Sequence, residues 1–114
     1  MSKSDAVYLR HILDAISQIQ EYVTGMSYES FMSTRLVQDG VIRQFEIIGE
    51  ATKNLSEKLR DAYPDIPWKD IAGMRDKLIH QYFGVDKGAV WASINEDLPS
   101  LKSKIIEMLS AIES

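Results

Sequence analysis

From Val37 to Leu59 the core-compatible residues return in steps of four and three: Val37, Val41, Phe45, Ile48, Thr52, Leu55 and Leu59. A strand would need alternation every second residue, so this period places one seam along a helix, close to a heptad. Ile42 and Ile47 widen the seam, and the helix is therefore expected to be buried on more than one side. Gly49 lies inside it, at a cost of about 1 kcal/mol relative to alanine in a helix interior. Close approach of a neighbouring helix is the expected compensation. The run "YPDIP" at 63–67 ends the segment, because two prolines in so short a space cannot continue a helix.

The same period covers most of the remaining chain. Leu9, Ile12, Leu13, Ile16, Ile19 and Val23 give one stripe on a helix from about Ser4 to Thr24, with Ser4 or Asp5 as N-cap and Gly25 as the stop. "GMSYESFM" at 25–32 reads as a connection. Pro67 can begin a third helix running to Phe83, with Gly84 ending it and Asp86 capping the next. Val90, Ile94, Leu98, Leu101, Ile105, Met108 and Ile112 continue the period, and Pro99 should kink or divide that last segment. The expected fold is all-α, an antiparallel four-helix bundle counted as four or five helices.

Composition narrows the function classes. A chain of 114 residues, 45% apolar and 26% charged, fits one globular domain over residues 1–114. No apolar run has the length to cross a bilayer, and "MSKSDAVYLR" has no signal core, so a cytoplasmic location is expected. The absence of cysteine removes disulfides, thiolate metal sites and cysteine nucleophiles. A formal net charge of -4 and a pI near 5.1 argue against nucleic-acid binding through bulk electrostatics, so such binding would need a local basic rim.

The chemistry-bearing residues concentrate in "GMRDKLIHQYFGVD", residues 73–86. Asp76 and His80 are one helical turn apart and can touch, so the carboxylate could orient the imidazole. Arg75 and His80 are five apart, which turns them roughly 140° from each other on an ideal helix. They would meet only if the helix end were distorted or if a groove were shared with another chain, as a two-fold dimer would supply. Spacing alone leaves the structural reading stronger, with His80 complementing the helix macrodipole and Arg75 and Asp76 on a solvated face. His11 reads as a surface or partly buried residue, and Glu46 and Glu50 as a solvated pair or the frame of a polar pocket. Neither a metal-ligand spacing nor a glycine-rich phosphate loop is present, so no cofactor is expected.

The order Arg75, four residues, His80, one residue, Tyr82 resembles the Arg-x4-His-x-Tyr motif of HepT-like toxin ribonucleases, in the DUF86 branch of the HEPN superfamily. "EIIGEATKNLSEKLR", "PWKDIAGMRDKLIHQYFGVD" and "VWASINEDLPSLKSKI" are similar to further parts of that family, so the resemblance covers about residues 40 to 109. It implies an HEPN-like helical fold and a homodimer whose groove lies between two such motifs. It also implies metal-independent cleavage of RNA (tRNA or mRNA) by the toxin of a type VII-like toxin–antitoxin pair. Arg75 would stabilise the charge on the phosphorane and His80 would act as general acid or base. Asp76 and Glu50 would support the site. Tyr82 matches the tyrosine that an MntA-type nucleotidyltransferase antitoxin modifies with AMP from ATP. Lys69, Lys77 and Lys87 are the candidates for a basic rim contacting RNA, joined across the dimer. The competing readings are a non-catalytic subunit that binds substrate or nucleotide for a nucleotidyltransferase, and a plain dimerisation module.

Overall fold

The computed structural model describes residues 3–113, with the side chains of Lys3 and Tyr82 outside that description. Among the described residues there are seven α-helices, one 3-10 turn and no strand. The helices are α1 Lys3–Tyr22, α2 Tyr28–Ser33, α3 Arg35–Lys53, α4 Glu57–Ala62, α5 Trp68–His80, α6 Lys87–Glu96 and α7 Leu98–Glu113, with the 3-10 turn at Tyr82–Gly84. None of them is long and apolar enough to cross a membrane.

Helix α1 packs against α3 and α7. Its stripe of Leu9, Ile12, Ile16 and Ile19 is fully buried, as the apolar period requires. It runs antiparallel to α3: Tyr22 lies beside Gly40, while Asp5 near its start bonds to Ser56 beyond the end of α3. It is also antiparallel to α7, where Lys102 donates to Gln20 at 2.8 Å and Arg10 pairs with Glu113 at 2.7 Å. Helix α5 packs on α3, and α6 on α7. Val41, Ile42, Phe45, Ile48 and Leu59 meet the α1 stripe, Ile105 and Met108 in one continuous core.

Four boundaries differ from the expectation. The second helix does not run through to "YPDIP". It ends at Lys53, where Asn54 caps it, and restarts as α4 after Ser56. The period survives because Leu55 and Leu59 stay in the core on both sides of the break. Asp5 does not cap its own helix. Its buried carboxylate, 1% exposed, accepts from the Ser56 amide at 2.8 Å and from the Ser56 hydroxyl at 2.7 Å. Ser56 Oγ in turn accepts from the Leu59 amide at 3.1 Å, so Asp5 orients the cap of α4. "GMSYESFM" contains α2, closed by reciprocal bonds in which Ser27 Oγ accepts the Ser30 amide and Ser30 Oγ accepts the Ser27 amide. Phe31 anchors this short helix in the core, 5.1 Å from the Trp91 ring.

The third helix stops at His80 instead of running to Phe83, and Tyr82–Gly84 forms a separate 3-10 turn; other boundaries lie where the sequence puts them. Gly25 follows α1 with φ of 75°, a conformation that only glycine adopts freely. Asp86 caps α6 by accepting from the Ala89 amide at 3.0 Å. Pro99 falls in the first turn of α7, and the last segment divides just before it, at Asp97.

Replacing Asp5 by alanine leaves the Ser56 amide and hydroxyl without their buried acceptor. A loss of about 2 kcal/mol in unfolding free energy is expected for unmet hydrogen bonds to a charged group, measured by urea denaturation at neutral pH. A change below a few tenths would contradict the capping role.

Candidate active site

Gly49 is where α3 and α5 touch most closely. A Cβ at Gly49 would overlap Arg75 Cβ and lie 3.2 Å from Arg75 Cγ and from the Ile71 carbonyl oxygen. The missing side chain of one helix therefore admits the base of the arginine on the other, which is the close approach that an interior glycine implies. Arg75 leaves this contact only partly exposed, at 29% of its side chain. Its Nε lies 3.1 Å from Glu50 Oε2 and its Nη1 3.1 Å from Asp76 Oδ1. Lys53 Nζ donates to the same Asp76 oxygen at 2.6 Å.

Asp76 is therefore engaged by Lys53 and Arg75, and among the described residues no hydrogen bond joins it to His80. The expectation that Asp76 orients His80 is not met within one chain. The two cations occupy the carboxylate instead. The bond from Lys53, and next that from Arg75, hold the Asp76 carboxyl below its ordinary value of 3.8. A depressed carboxyl contributes stability that is complete above its ordinary range and is lost as pH falls through its native value. The group is exposed, so solvent screens that contribution.

Around Arg75 lies an open cleft of about 310 Å³ between α1, α3 and α5. Glu46, Glu50 and Asn54 come to it from α3 and its end, with Arg43 one turn earlier. Tyr8 and His11 come from α1, their rings edge to face at 6.0 Å. The floor is Ile47 and Ala51. Glu46 and Glu50 thus frame a polar pocket, one of the two readings their spacing permitted. Tyr8, His11, Arg43 and Asn54 had no local motif to mark them, since only the packing of α1 and α5 on α3 brings them together with Arg75.

His80 does not line this cleft. It is exposed in the last turn of α5, where the neighbouring Ile79 is the residue that reaches the cleft. The angular divergence of Arg75 and His80 on an ideal helix is retained. Tyr82 opens the 3-10 turn that follows, and its side chain lies outside the described residues. Phe83 in that turn is 99% exposed. Lys69 and Lys77 are exposed and Lys87 is half-buried, and none of the three lines the Arg75 cleft within one chain. Among the described residues there is no group of three or more His, Cys, Asp or Glu side chains that could hold a metal ion.

If Lys53 is the main cause of the depressed Asp76 titration, Lys53→Met will move the Asp76 midpoint upward toward 3.8. Carboxyl-carbon NMR over an acid titration reads this directly, and an unmoved midpoint would refute it.

Comparison with known proteins accords with the fold and the motif. The sequence profile of the family described as "Ribonuclease HepT-like" matches residues 12–108. The chain is 46% identical over 104 residues to a Thermococcus cleftensis protein named "Probable ribonuclease HepT", covering 91% of this chain and 94% of that protein. It is 43% identical over 107 residues to a "Putative RNase" of Caldanaerobacter subterraneus, covering 94% of this chain and 96% of the relative. A Methanocaldococcus jannaschii protein named "Gamma-glutamylcyclotransferase and putative RNase" is 44% identical over 113 residues, which are 99% of this chain. The chain spans only about half of that relative's length, 51%. No solved structure matches. The helical fold, the motif order and these similarities over nearly the whole length place the chain in the HepT-like ribonuclease family.

Proposed function

We propose that the chain is a metal-independent endoribonuclease, the toxin of a toxin–antitoxin pair, cutting RNA in a groove shared by two copies. One observation carries this reading: within a single chain Arg75 sits in the cleft while His80 stands exposed outside it. A reaction using both needs His80 to come from a second copy. The exposed Ile79 and Phe83 on either side of His80 support a surface that another chain covers. The relatives' names support RNA as the substrate.

In this groove the 2′-hydroxyl attacks its adjacent phosphate, so the nucleophile belongs to the RNA itself. Arg75, held by Glu50 and Asp76, presents a guanidinium whose partners are exposed and exchangeable for phosphate oxygens. His80 of the other copy transfers a proton. The formal charge of -4 means that RNA is held by local cations, with Arg43 beside Arg75 and the exposed Lys77 nearby in sequence.

Complementation tests the shared groove. Arg75→Ala and His80→Ala homodimers should each lose cleavage of RNA in EDTA by about 100-fold or more, the usual range for an acid–base group or a charge-stabilising donor. The mixed dimer should recover cleavage that neither homodimer shows, because its shared groove keeps one Arg75 and one His80. No recovery in a verified mixed dimer would refute the shared groove, and undiminished cleavage by His80→Ala would refute the catalytic assignment.

Regulation by a partner is part of the same proposal. An MntA-type nucleotidyltransferase would transfer AMP from ATP to the Tyr82 hydroxyl, two residues beyond His80, with release of pyrophosphate. Phosphate placed there would repel RNA and compete for the arginine. Mass spectrometry after incubation with the partner and ATP should find added AMP on Tyr82 and coincident loss of cleavage. An unmodified Tyr82 beside a demonstrably active partner would overturn it.

A further inference from the structure

Phe83 follows His80 by three residues and stands 99% exposed in the Tyr82–Gly84 turn, outside the core of its own chain. It forms one side of a second open cleft, of about 300 Å³, that shares no residue with the Arg75 cleft. Met32 and Ser33 come to this cleft from α2, Arg35 and Gln38 from the start of α3, and Lys87 from the first turn of α6. Helix packing brings these segments together. Buried Gln38 donates through Nε2 to the Phe31 carbonyl oxygen at 2.8 Å, tying α3 to α2, and the Phe31 ring meets Trp91 of α6.

The two clefts differ in charge. Around Arg75, the cations Arg43 and Arg75 are balanced by Glu46 and Glu50, whereas Arg35 and Lys87 line the second cleft with no carboxylate beside them in its lining. A chain of formal charge -4 thus carries a local excess of positive charge close to its motif, which is what binding of a polyanion requires. The Arg35 side chain is 79% exposed and its pair with Asp39 is long, 3.9 Å, so the guanidinium is exchangeable for a phosphate. The Phe83 ring and the exposed Met32 add apolar surface to the same cleft. An aromatic ring beside two cations offers a base a face to stack on and offers its phosphate a counter-charge.

We propose that the cleft between Phe83, Arg35 and Lys87 is a nucleotide subsite, taking a base on the Phe83 ring and a phosphate on the two cations. This rests on the ribonuclease reading given above, and it extends the shared groove beyond the two motifs at its centre. Three residues span at most about 11 Å of backbone, so a strand whose scissile phosphate lies at the motifs reaches the cleft with a flanking nucleotide. Each copy carries one such cleft, so two flank a two-fold groove. Phe83 then faces the second copy across the bound base. Two sources offer this ligand: a nucleotide of the RNA strand, and the AMP that the proposed partner would attach to Tyr82, the residue before Phe83.

The test has one arm for each source, and gel filtration reports the oligomeric state of every variant. In the first arm, unmodified His80→Ala protein, slow to cut, is titrated with a short single-stranded RNA and with copies abasic at one position each. Fluorescence anisotropy reads the binding. Adding Phe83→Ala should weaken binding of the intact strand about fivefold or more, the range for loss of one base stack, and Phe83→Trp should not. One abasic position should weaken binding similarly, and Phe83→Ala should then cost nothing further on that strand. Arg35→Ser should weaken intact and abasic strands alike and reduce the salt dependence. If Phe83→Ala dissociates the dimer, dimeric Phe83→Trp serves instead, its added emission quenched by every strand except the one abasic at the stacked position. In the second arm, NMR of protein carrying AMP on Tyr82 should find adenine protons shifted upfield by the Phe83 ring and unshifted in Phe83→Ala. Either arm supports the nucleotide subsite and identifies its occupant. Neither base-specific coupling nor a ring shift, in protein whose wild type cleaves RNA in EDTA, overturns the subsite and leaves the ribonuclease reading standing. Wild type that cleaves no RNA overturns that reading.

Discussion

The packing of Arg75 onto Gly49 governs the geometry of everything around it. With no Cβ at Gly49, α5 settles onto α3 until the stem of Arg75 meets the α3 backbone. That contact sets where the guanidinium begins and turns it toward Glu50, the next residue along α3. A helix held this close cannot be shifted without repacking the Ile71 and Met74 side that joins the core. The site therefore inherits its precision from helix packing, and not from a loop.

Around that contact the charges are arranged in a chain: Glu50, Arg75, Asp76 and Lys53. Two cations and two carboxylates leave the chain formally neutral, and its members are partly exposed. Such pairs contribute little to stability, typically well under about 1 kcal/mol each. What they supply is orientation, since a guanidinium fixed on two sides has less freedom to lose when a phosphate arrives. The exposure that makes the pairs weak also makes them exchangeable, which suits a residue that must bind a passing anion. A more deeply buried arginine would hold its carboxylates too firmly to release them.

Much of the fold was legible from the apolar period, because burial of a stripe is a demand that local sequence records directly. Gly49 announced a close helix contact, Gly25 and Asp86 marked their boundaries, and Pro99 divided the last segment. The break at Asn54 was hidden, since Leu55 and Leu59 keep the period while the backbone turns between them. The acceptor that stabilises the restart, Asp5, comes from the far end of another helix. The short helix after Gly25 was missed for a different reason. Its capping box uses serine at both positions, and its single buried anchor, Phe31, makes no stripe.

The candidate site divides in the same way. By itself the sequence determined that the chain is helical, that Arg75 and His80 point apart along one helix, and that the motif belongs to a ribonuclease family. These follow from residue order and from the fixed turn of a helix. Only the tertiary structure decided which residues share the arginine's cleft. It set His11 and Tyr8 of α1 beside Glu46, Glu50 and Arg75, and it gave Asp76 to Lys53 in place of His80. Helical period specifies which face of each helix is buried, but the rotation and offset of one helix against the next depend on how whole surfaces fit, with Gly49 as the point of closest contact.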